Sequence, residues 1–330
     1  MRRKLKFALI NLLHYSGALS LWFALRARQR KDICILGLHR VLSDAQCERT
    51  CSQSAIILRE ETYAALTEYL RRHFDVVALS SAWDGCRPGS GRPACAITFD
   101  DGWCDNRNAL GMLRQMRLPA TLFVAAGLVD RGEVLWVEKL RSAWRDPLAR
   151  PRIEQAFAGQ FSREGDDPLE PVIESLKRKP AERRDAILSE VLPMKPALPD
   201  VDRMLTWNEL KEMAGDGIEL GSHTLNHPLL SYEEDGKVEE ELSGSRELIR
   251  SRLGREVSSF AYPNGDHNTR VRNWVEKAGY SCAVTTRRGW YRCGSDPFTM
   301  PRILLHEGNV TGPDGKFSPA ALRFAMTGWR

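Results

Sequence analysis

The sequence predicts an α/β fold, because short apolar runs alternate along the chain with segments whose apolar residues recur at helical spacing. Strands that alternate with helices pair in parallel, so we expect a β/α barrel or a layered sheet. The 330 residues are 42% hydrophobic and 28% charged, which is enough apolar material to bury a sizeable core.

The predicted elements begin with a buried strand that runs into a loop within "ICILGLHRVL", residues 33–42. The rest of the first half is predicted to contain a helix over 61–74, a strand at 76–79, a strand ending at "TFDDG", a helix over 105–116 and a strand within 119–129. In the second half, "GIELGSHTLNHPLL" (217–230) runs from strand to loop, and a helix over 239–254 ends at a glycine. The alternation continues through 258–266, 271–280 and 281–286.

Polar residues follow the ends of several predicted strands. In a parallel β/α arrangement the carboxyl ends of the strands share one face, so side chains from separate strands converge there. The residues placed on this face are His39, Asp100, Asp101, His223, Asn264 and Gly265.

Residues 131–205 interrupt the alternation. This stretch is rich in Arg, Glu and Pro, with helical patches between the prolines. It is predicted to be a mostly helical insertion that covers the site or meets a partner. A solvated charged excursion without a role in chemistry is the alternative.

The N-terminal segment, residues 1–31, differs from the remaining domain, residues 32–330. Its apolar stretch, residues 7–25, approaches the ~20 residues that span a bilayer, and basic residues flank it on both sides. The length and the basic sequence after it argue against a signal peptide. We expect a helix in the interface of an anionic membrane, anchored by Trp22. A single spanning anchor and a helix packed on the domain remain alternatives.

The eight cysteines contain no C-x-x-C pair, and scattered thiols suit a reducing compartment. We therefore expect a peripheral protein on the cytoplasmic side of the inner membrane. The net charge is only +5 and no basic stripe is interleaved with aromatic residues, which argues against a nucleic-acid partner.

Two histidines four residues apart, His223 and His227 in "SHTLNH", suggest a metal site. On one helical turn their imidazoles reach a single ion. One acidic oxygen completes a two-histidine, one-carboxylate set that leaves coordination positions open. Asp-Asp-Gly alone is usually a turn, but "TFDDG" at a strand end of the same domain supplies that oxygen. Together these features predict a hydrolytic metal site.

The motifs "TFDDG", "SHTLNH" and "FAYPNG" resemble the first three motifs of the polysaccharide deacetylases, carbohydrate esterase family 4. The resemblance covers roughly residues 33–305 and includes "ILGLHRVL" and "MPRI". It implies a deformed β/α barrel and metal-dependent removal of N- or O-acetyl groups from sugars. It also implies that Asp100 is the general base and that Asp101, His223 and His227 hold the metal. We expect Zn²⁺, with Co²⁺ or Ni²⁺ left open.

The third motif departs from the family pattern at two positions. Ala261 stands where the family has an arginine that orients the base, and Asn264 replaces a common aromatic residue. Arg302 in "MPRI" is the candidate to replace the missing arginine. Backbone N–H groups near Asn264 and Gly265 are candidates to face the developing oxyanion.

Two further departures concern the last two motifs of the family. Its tryptophan wall is not recognisable, although Trp274 and Trp290 lie nearby in the sequence. Two histidines compete for the role of general acid. His306 in "ILLH" matches the family's last motif, whereas His39 in "GLHRV" ends the first predicted strand. We favour His39 and keep His306.

The expected function is metal-dependent deacetylation of a saccharide, either lipid-linked or an exopolysaccharide precursor. Because two motifs are altered, a catalytically silent sugar-binding module is the alternative. A non-haem iron oxygenase is disfavoured, because Asp101 lies far upstream of both histidines.

Overall fold

The computed structural model describes residues 2–29, 32–83, 91–162, 167–192, 198–214 and 217–329. The strands in these ranges are β1 (Asp32–Leu38), β2 (Arg40–Leu42), β3 (Ile57–Arg59), β4 (Asp75–Val76), β5 (Ala94–Phe99), β6 (Ala120–Val124), β7 (Ile218–Ser222), β8 (Ser259–Ala261), β9 (Cys282–Val284), β10 (Tyr291–Arg292) and β11 (Ile303–Leu304).

The helices in the same ranges are α1 (Arg2–Tyr15), α2 (Ala18–Gln29), α3 (Asp44–Arg49), α4 (Glu60–His73), α5 (Ser80–Trp83), α6 (Asn106–Gln115), α7 (Trp136–Arg145), α8 (Arg150–Ala156), α9 (Glu170–Lys177), α10 (Ala181–Val191), α11 (Trp207–Met213), α12 (Asp235–Leu253), α13 (Thr269–Lys277), α14 (Glu307–Val310) and α15 (Pro319–Met326).

The main sheet has the strand order β10-β1-β5-β6-β7-β8-β9, with β11 paired to β1 and β4 paired to β5. Only β10 runs antiparallel to its neighbour, and the other pairings are parallel. Every residue of β1, β5 and β6 is buried, as expected for strands covered on both faces. The predicted parallel alternation is therefore confirmed.

Residues 300–304 close the sheet between its last and first strands. The amide of Thr285 donates to the carbonyl of Met300 at 2.8 Å, and β11 pairs with Leu36 and Gly37 of β1. The approach is close at Gly37, where an added Cβ would lie 2.5 Å from the side chain of Leu304. The result is a deformed β/α barrel.

The first predicted strand is split in two by the structure. β1 ends at Leu38, and β2 leaves the barrel to pair with β3 in a separate two-stranded sheet. His39 lies between them, at the carboxyl edge of β1. The break therefore gives His39 a place on the face where the other strand ends meet.

The N-terminal segment forms two helices where the sequence suggested one. α1 and α2 meet at Gly17, whose φ of +81° favours glycine. No single helix in the described ranges is long and apolar enough to cross a bilayer. Phe7–Tyr15 and Ala18–Arg26 meet that requirement only as a pair, across a bend of 67°.

One side of this helix pair packs on the domain, where Ile10, Leu19 and Phe23 are buried. Trp22, the residue expected to anchor the segment in a membrane, contacts the domain. Its ring is partly buried against Trp290, with ring centroids 5.5 Å apart, because the α2 face that carries it is turned toward the barrel.

The insertion contains α7, α8, α9 and α10, as the sequence predicted. These helices bury an apolar cluster of their own, which includes Leu140, Ile153, Val172, Ile173 and Leu188. The insertion is thus a packed helical unit and not a solvated excursion.

Candidate metal centre and active site

The turn after β5 separates two adjacent carboxylates. Asp101 adopts a φ of +74° and Gly102 a φ of +88°, a left-handed bend in which glycine is unstrained. The side chains of Asp100 and Asp101 consequently have different partners. Asp100 accepts from Arg302, whereas Asp101 Oδ2 accepts from the indole Nε1–H of Trp103 at 2.9 Å.

The loop after β7 carries the two histidines. The expectation that they lie on a helical turn is wrong, because residues 223–227 form a loop. Thr224 and His227 have φ values of +69° and +58°. The amide of His227 donates to Thr224 Oγ1 at 2.9 Å, and Glu241 accepts the amide of Asn226 at 2.8 Å. These bonds replace helical hydrogen bonds and hold the loop in its bend.

The three predicted metal ligands converge. Asp101 Oδ1 lies 3.5 Å from the Nε2 atoms of both His223 and His227, and the two Nε2 atoms are 3.2 Å apart. Among the described residues these three side chains form the only cluster of His, Cys, Asp or Glu with the geometry to hold a metal ion.

The donor set fits a divalent cation. His223 Nδ1 lies 2.7 Å from the carbonyl of Ala261, which can only accept, so Nδ1 carries the proton and Nε2 presents a lone pair. Burial lowers the pKa of His223 to about 4 and that of His227 to about 3, so both imidazoles are neutral. Two nitrogen donors and a carboxylate facing one point suit zinc and related ions.

Arg302, the candidate to replace the arginine absent at Ala261, forms an ion pair with Asp100. Its Nη1 and Nη2 donate to the two carboxylate oxygens of Asp100, both at 2.7 Å. Its Nε donates to the carbonyl of Thr285, and Nη1 also reaches Thr98 Oγ1. Arg302 is fully buried, and its contacts are with Asp100, Thr98 and Thr285 rather than with a position open to substrate.

The electrostatic consequence for Asp100 follows from these bonds. Burial by itself would raise the pKa of Asp100, but the charge and hydrogen bonds of Arg302 outweigh burial and hold it well below its ordinary value. Asp100 is therefore an ionised carboxylate that belongs to a buried ion pair and remains separate from the three converging ligand atoms.

The two candidate general acids lie in different places. His39 Nε2 is 3.7 Å from Asp100 Oδ2, with the side chain partly exposed. His306 lies at the start of α14, where its amide donates to Asn309 Oδ1 at 3.1 Å. Burial, followed by the charge of Arg288, lowers its pKa. No contact between His306 and Asp100 is found within the described ranges.

The two backbone amides that are candidates to face the oxyanion, those of Asn264 and Gly265, differ in whether they already have an acceptor. The amide of Gly265 already donates to the carbonyl of Tyr262 at 2.7 Å, so it is not available to a substrate. Asn264 is exposed, with a φ of +56°, and its amide has no acceptor in the part of the chain that the structure describes. Gly265 instead allows a close approach, because an added Cβ would lie 2.2 Å from Thr286 Oγ1.

Neither candidate for the tryptophan wall faces the site. Trp290 donates from Nε1 to the carbonyl of Met326 and packs under α2, and Trp274 lies beneath the ammonium of Lys277 on α13. Both are occupied in packing on the outside of the barrel.

Sequence reasoning missed a buried polar network behind Asp101. The guanidinium of Arg40 lies 4.4 Å from the ring centroid of Trp103, which holds Asp101. Arg40 donates to Asp105 at 2.9 Å and pairs with Asp202 at the end of the insertion. The tryptophan directly after "TFDDG" was the one signal in the sequence that could have indicated this network. The pairing of Arg40 with Asp202 was not predictable from local sequence, because the two residues are 162 positions apart.

The profile of the polysaccharide deacetylase family matches residues 88–283, more than half of the chain. The chain belongs to the polysaccharide deacetylase family. The matched range contains the Asp100–Asp101 pair and both histidines, whereas His39, Arg302 and His306 lie outside it. The resemblance noted in the motifs is thus confirmed for the family.

A curated relative of this deacetylase-family chain is the putative polysaccharide deacetylase YxkH of Bacillus subtilis. The two are 29% identical over 104 residues, which are 32% of this chain and 37% of the relative. The match thus spans little more than a third of the relative's length.

Solved deacetylases share the fold. The Streptococcus pyogenes deacetylase PplD, in complex with acetate, aligns with a TM-score of 0.59 at 17% identity, covering 89% of this chain and 98% of its own. IcaB from Ammonifex degensii aligns with a TM-score of 0.57 at 19% identity, covering 90% and 97%. At these identities the likeness establishes the deacetylase-type barrel.

Proposed function

We propose that this chain is a metal-dependent hydrolase that removes N-acetyl or O-acetyl groups from a saccharide. The observation that carries the proposal is the convergence of Asp101 Oδ1 with the Nε2 atoms of His223 and His227 beside a separate carboxylate. A catalytically silent sugar-binding module has no need of that separate carboxylate or of the arginine that holds it.

In this proposal Asp101, His223 and His227 hold a divalent ion, with Zn²⁺ favoured over Co²⁺ or Ni²⁺. When bound, such an ion supplies Lewis acidity, which acidifies water and polarises a carbonyl. The indole of Trp103 fixes the orientation of Asp101, and the carbonyl of Ala261 fixes that of His223.

Asp100 is proposed as the general base. Arg302 holds its carboxylate ionised and oriented, so that it accepts a proton as water attacks the acetyl carbonyl. Arg302 cannot accept that proton, and it therefore remains the counter-ion while Asp100 changes charge. The amide of Asn264 is the proposed donor to the oxyanion.

His39 is proposed as the general acid, because it lies beside Asp100 and is partly open to solvent. It would donate a proton to the leaving nitrogen or oxygen as the bond to the acetyl carbon breaks, giving acetate and a free amine or hydroxyl. His306 is kept as the second candidate, and comparison of the His39→Ala and His306→Ala variants decides between them.

The test removes one ligand at a time. Asp101→Ala, His223→Ala and His227→Ala should each lose bound metal and acetate release, because each side chain supplies one of three protein ligands. His73→Ala, an exposed histidine on α4, is the matched control and should keep both. Metal content is measured by mass spectrometry after dialysis against Zn²⁺. Full occupancy in His223→Ala would contradict the site, and bound metal without acetate release in the unaltered chain would favour the sugar-binding module.

We further propose that α1 and α2 hold the protein on an anionic membrane, on the cytoplasmic side. Large apolar side chains are exposed on the surface of this helix pair away from the barrel: Leu9, Leu12, Tyr15, Leu21 and Leu25. An exposed apolar patch of this kind, next to a basic terminus, suits the boundary between headgroups and acyl chains. A saccharide that is lipid-linked or destined for export would meet the enzyme there.

Co-sedimentation with vesicles of phosphatidylglycerol and phosphatidylcholine tests this placement. Exchanging Leu12 and Leu21 together for Glu should release the protein from the pellet, because both side chains are exposed and their burial in lipid is lost. Leu148→Glu on the insertion is the control, since Leu148 is 85% exposed and far from α1 in the sequence. Equal pelleting of all three proteins would contradict the membrane surface.

A further inference from the structure

An apolar cavity of about 190 Å³ lies between α1, near the N-terminus, and the C-terminal helices α14 and α15. Its apolar lining comes from α1, from α15 and from the residues after α15: Phe7, Ile10, Ala321, Phe324, Ala325 and Trp329. Ligand pockets usually have about 300–1,000 Å³, so this cavity has room for a segment of an apolar chain and not for a whole ligand.

Arg288, in the loop after β9, is the only charged residue that lines this cavity within the described ranges. Its side chain is exposed, and its guanidinium has no acceptor in the part of the chain that the structure describes. The planar N–H groups of a guanidinium match two oxygens of a phosphate. An apolar cavity beside an unpaired guanidinium is therefore complementary to a phosphate that carries an apolar chain.

Helix α1 borders both this cavity and the membrane surface proposed above. Leu9 and Leu12 are 53% and 65% exposed, whereas Ile10 is 5% exposed and lines the cavity. Trp329, which also lines the cavity, is 45% exposed, and its ring centroid lies 6.2 Å from that of Trp22 on α2. The cavity is thus separated from the proposed lipid surface by the thickness of one helix.

The loop that carries Arg288 begins at the candidate active site. The carbonyl of Thr285 accepts from Nε of Arg302 at 3.0 Å, and Thr286 Oγ1 donates to the carbonyl of Asn264 at 3.0 Å. Arg288 follows two residues after Thr286, and two residues span at most about 7 Å of backbone. A phosphate bound by Arg288 would therefore lie close to Asn264, the proposed donor to the oxyanion.

The wall of the cavity formed by α14 borders His306, the second candidate for the general acid. Gly308 lines the cavity, and a Cβ added to it would lie 3.3 Å from Nδ1 of His306. The charge of Arg288 acts on the same imidazole. The cavity, its cation and the face of the barrel that carries the site are thus contiguous.

We propose that the substrate is an acetylated sugar joined through a phosphodiester to an apolar chain, with a segment of the chain in this cavity and the phosphate on Arg288. The proposal rests on the proposed deacetylase function and deepens it, because it selects a lipid-linked saccharide over an exported polymer. A phosphodiester keeps a negative charge between a sugar and a chain, whereas a carboxylate loses its charge when it is esterified. The sugar then extends along the loop after β9 toward Asn264.

Binding is measured without turnover, by isothermal titration calorimetry on the metal-free protein. The probe is decyl phosphate below its critical micelle concentration, and decanol and inorganic phosphate are its two fragments. Decyl phosphate should bind at least about tenfold more tightly than either fragment, because each buried methylene strengthens binding roughly fourfold. Arg288→Ala should weaken the binding of decyl phosphate about tenfold and leave that of decanol unchanged, because a charge-assisted hydrogen bond is lost.

Two further variants complete the calorimetry. Ala325→Leu fills the cavity from α15 and should weaken the binding of both decyl phosphate and decanol. Arg252→Ala, at an exposed arginine on α12, is the control and should bind all three probes as wild type does. Should Ala325→Leu fail to fold, Arg288→Ala still decides the outcome, because it changes an exposed side chain. Equal affinities for decyl phosphate and inorganic phosphate, or equal affinities of wild type and Arg288→Ala for decyl phosphate, would overturn the site.

Turnover is measured on the metal-loaded protein with N-acetylglucosamine 1-phosphate and its decyl phosphodiester. The kcat/KM for acetate release should be about 10- to 100-fold higher for the diester. Ala325→Leu should lower the diester value toward that of the sugar phosphate and leave the latter unchanged. If neither compound releases acetate, the proposed deacetylation of these probes fails, and calorimetry still decides the site. Tight binding of decyl phosphate with equal turnover of the two compounds would overturn the substrate class, because the cavity would then hold a lipid other than the substrate.

Discussion

Replacing Arg302 with Met tests how the base is held. The variant keeps a long side chain in the buried space but removes the two 2.7 Å hydrogen bonds to Asp100 and those to Thr98 and Thr285. Metal binding should be retained, because no contact between Arg302 and Asp101, His223 or His227 is found in the described part of the chain.

The size of the expected losses in stability and activity follows from the burial of the Asp100–Arg302 ion pair. Asp100 is 2% exposed and Arg302 is fully buried, so removing the guanidinium leaves a buried carboxylate without its counter-ion. Loss of one partner of such a pair lowers the free energy of unfolding by about 3–5 kcal/mol, less if Asp100 takes up a proton. A base that is protonated or misaligned should lower kcat/KM by about 10²–10⁴-fold.

The assay combines acetate release, metal content and urea denaturation for Arg302→Met, Arg302→Lys and the control Arg252→Met, an exposed residue of α12. Lys retains the charge but not the two-pronged geometry, so its kcat/KM should lie between those of Met and wild type. The control should behave as wild type. A kcat/KM for Arg302→Met within threefold of wild type, in folded and metal-loaded protein, would refute the role of Arg302.

Two further predictions concern Asp100 in the candidate site and Glu138, a buried residue of α7. Asp100→Asn should keep its metal but lose turnover by roughly 10²–10⁴-fold, and if it loses metal while Asp101→Asn keeps it, the two roles are exchanged. Burial raises the pKa of Glu138 to about 7 against the opposing charge of Arg141, so the fold favours its protonated form and loses stability as pH rises from about 4.5 to 7. Glu138→Gln should therefore gain stability over wild type between pH 5 and pH 8, by up to roughly 3 kcal/mol in metal-free protein. Urea denaturation at both pH values measures the gain, and a pH-independent difference would contradict it.

Much of the secondary structure was predicted from local sequence patterns. Runs such as "ACAITF" are buried on both faces, and their composition alone distinguishes them from the amphipathic segment that became α4. The candidate ligands were found because they lie within a few residues of strand ends. The conformation of "SHTLNH" was mistaken, because spacing reports that two imidazoles can meet but not which backbone brings them together.

The N-terminal segment shows a second limit of prediction from sequence. Its apolar composition allows one continuous helix, but Gly17 permits a bend and the barrel offers a surface for Leu19 and Phe23. Burial of one face against Trp290 decided the outcome, and composition does not record which face of a helix meets a neighbour.

The sequence by itself determined the strand–helix alternation, the family motifs and the candidate ligands, because each depends on residues close together in the chain. Tertiary structure decided how distant groups meet. Arg302 reaches Asp100 across 202 positions because β11 closes the barrel beside β1. The parallel pairing of β1 with β5 places His39 next to Asp100. Such pairings depend on how whole elements dock, and no local pattern of residues encodes that docking.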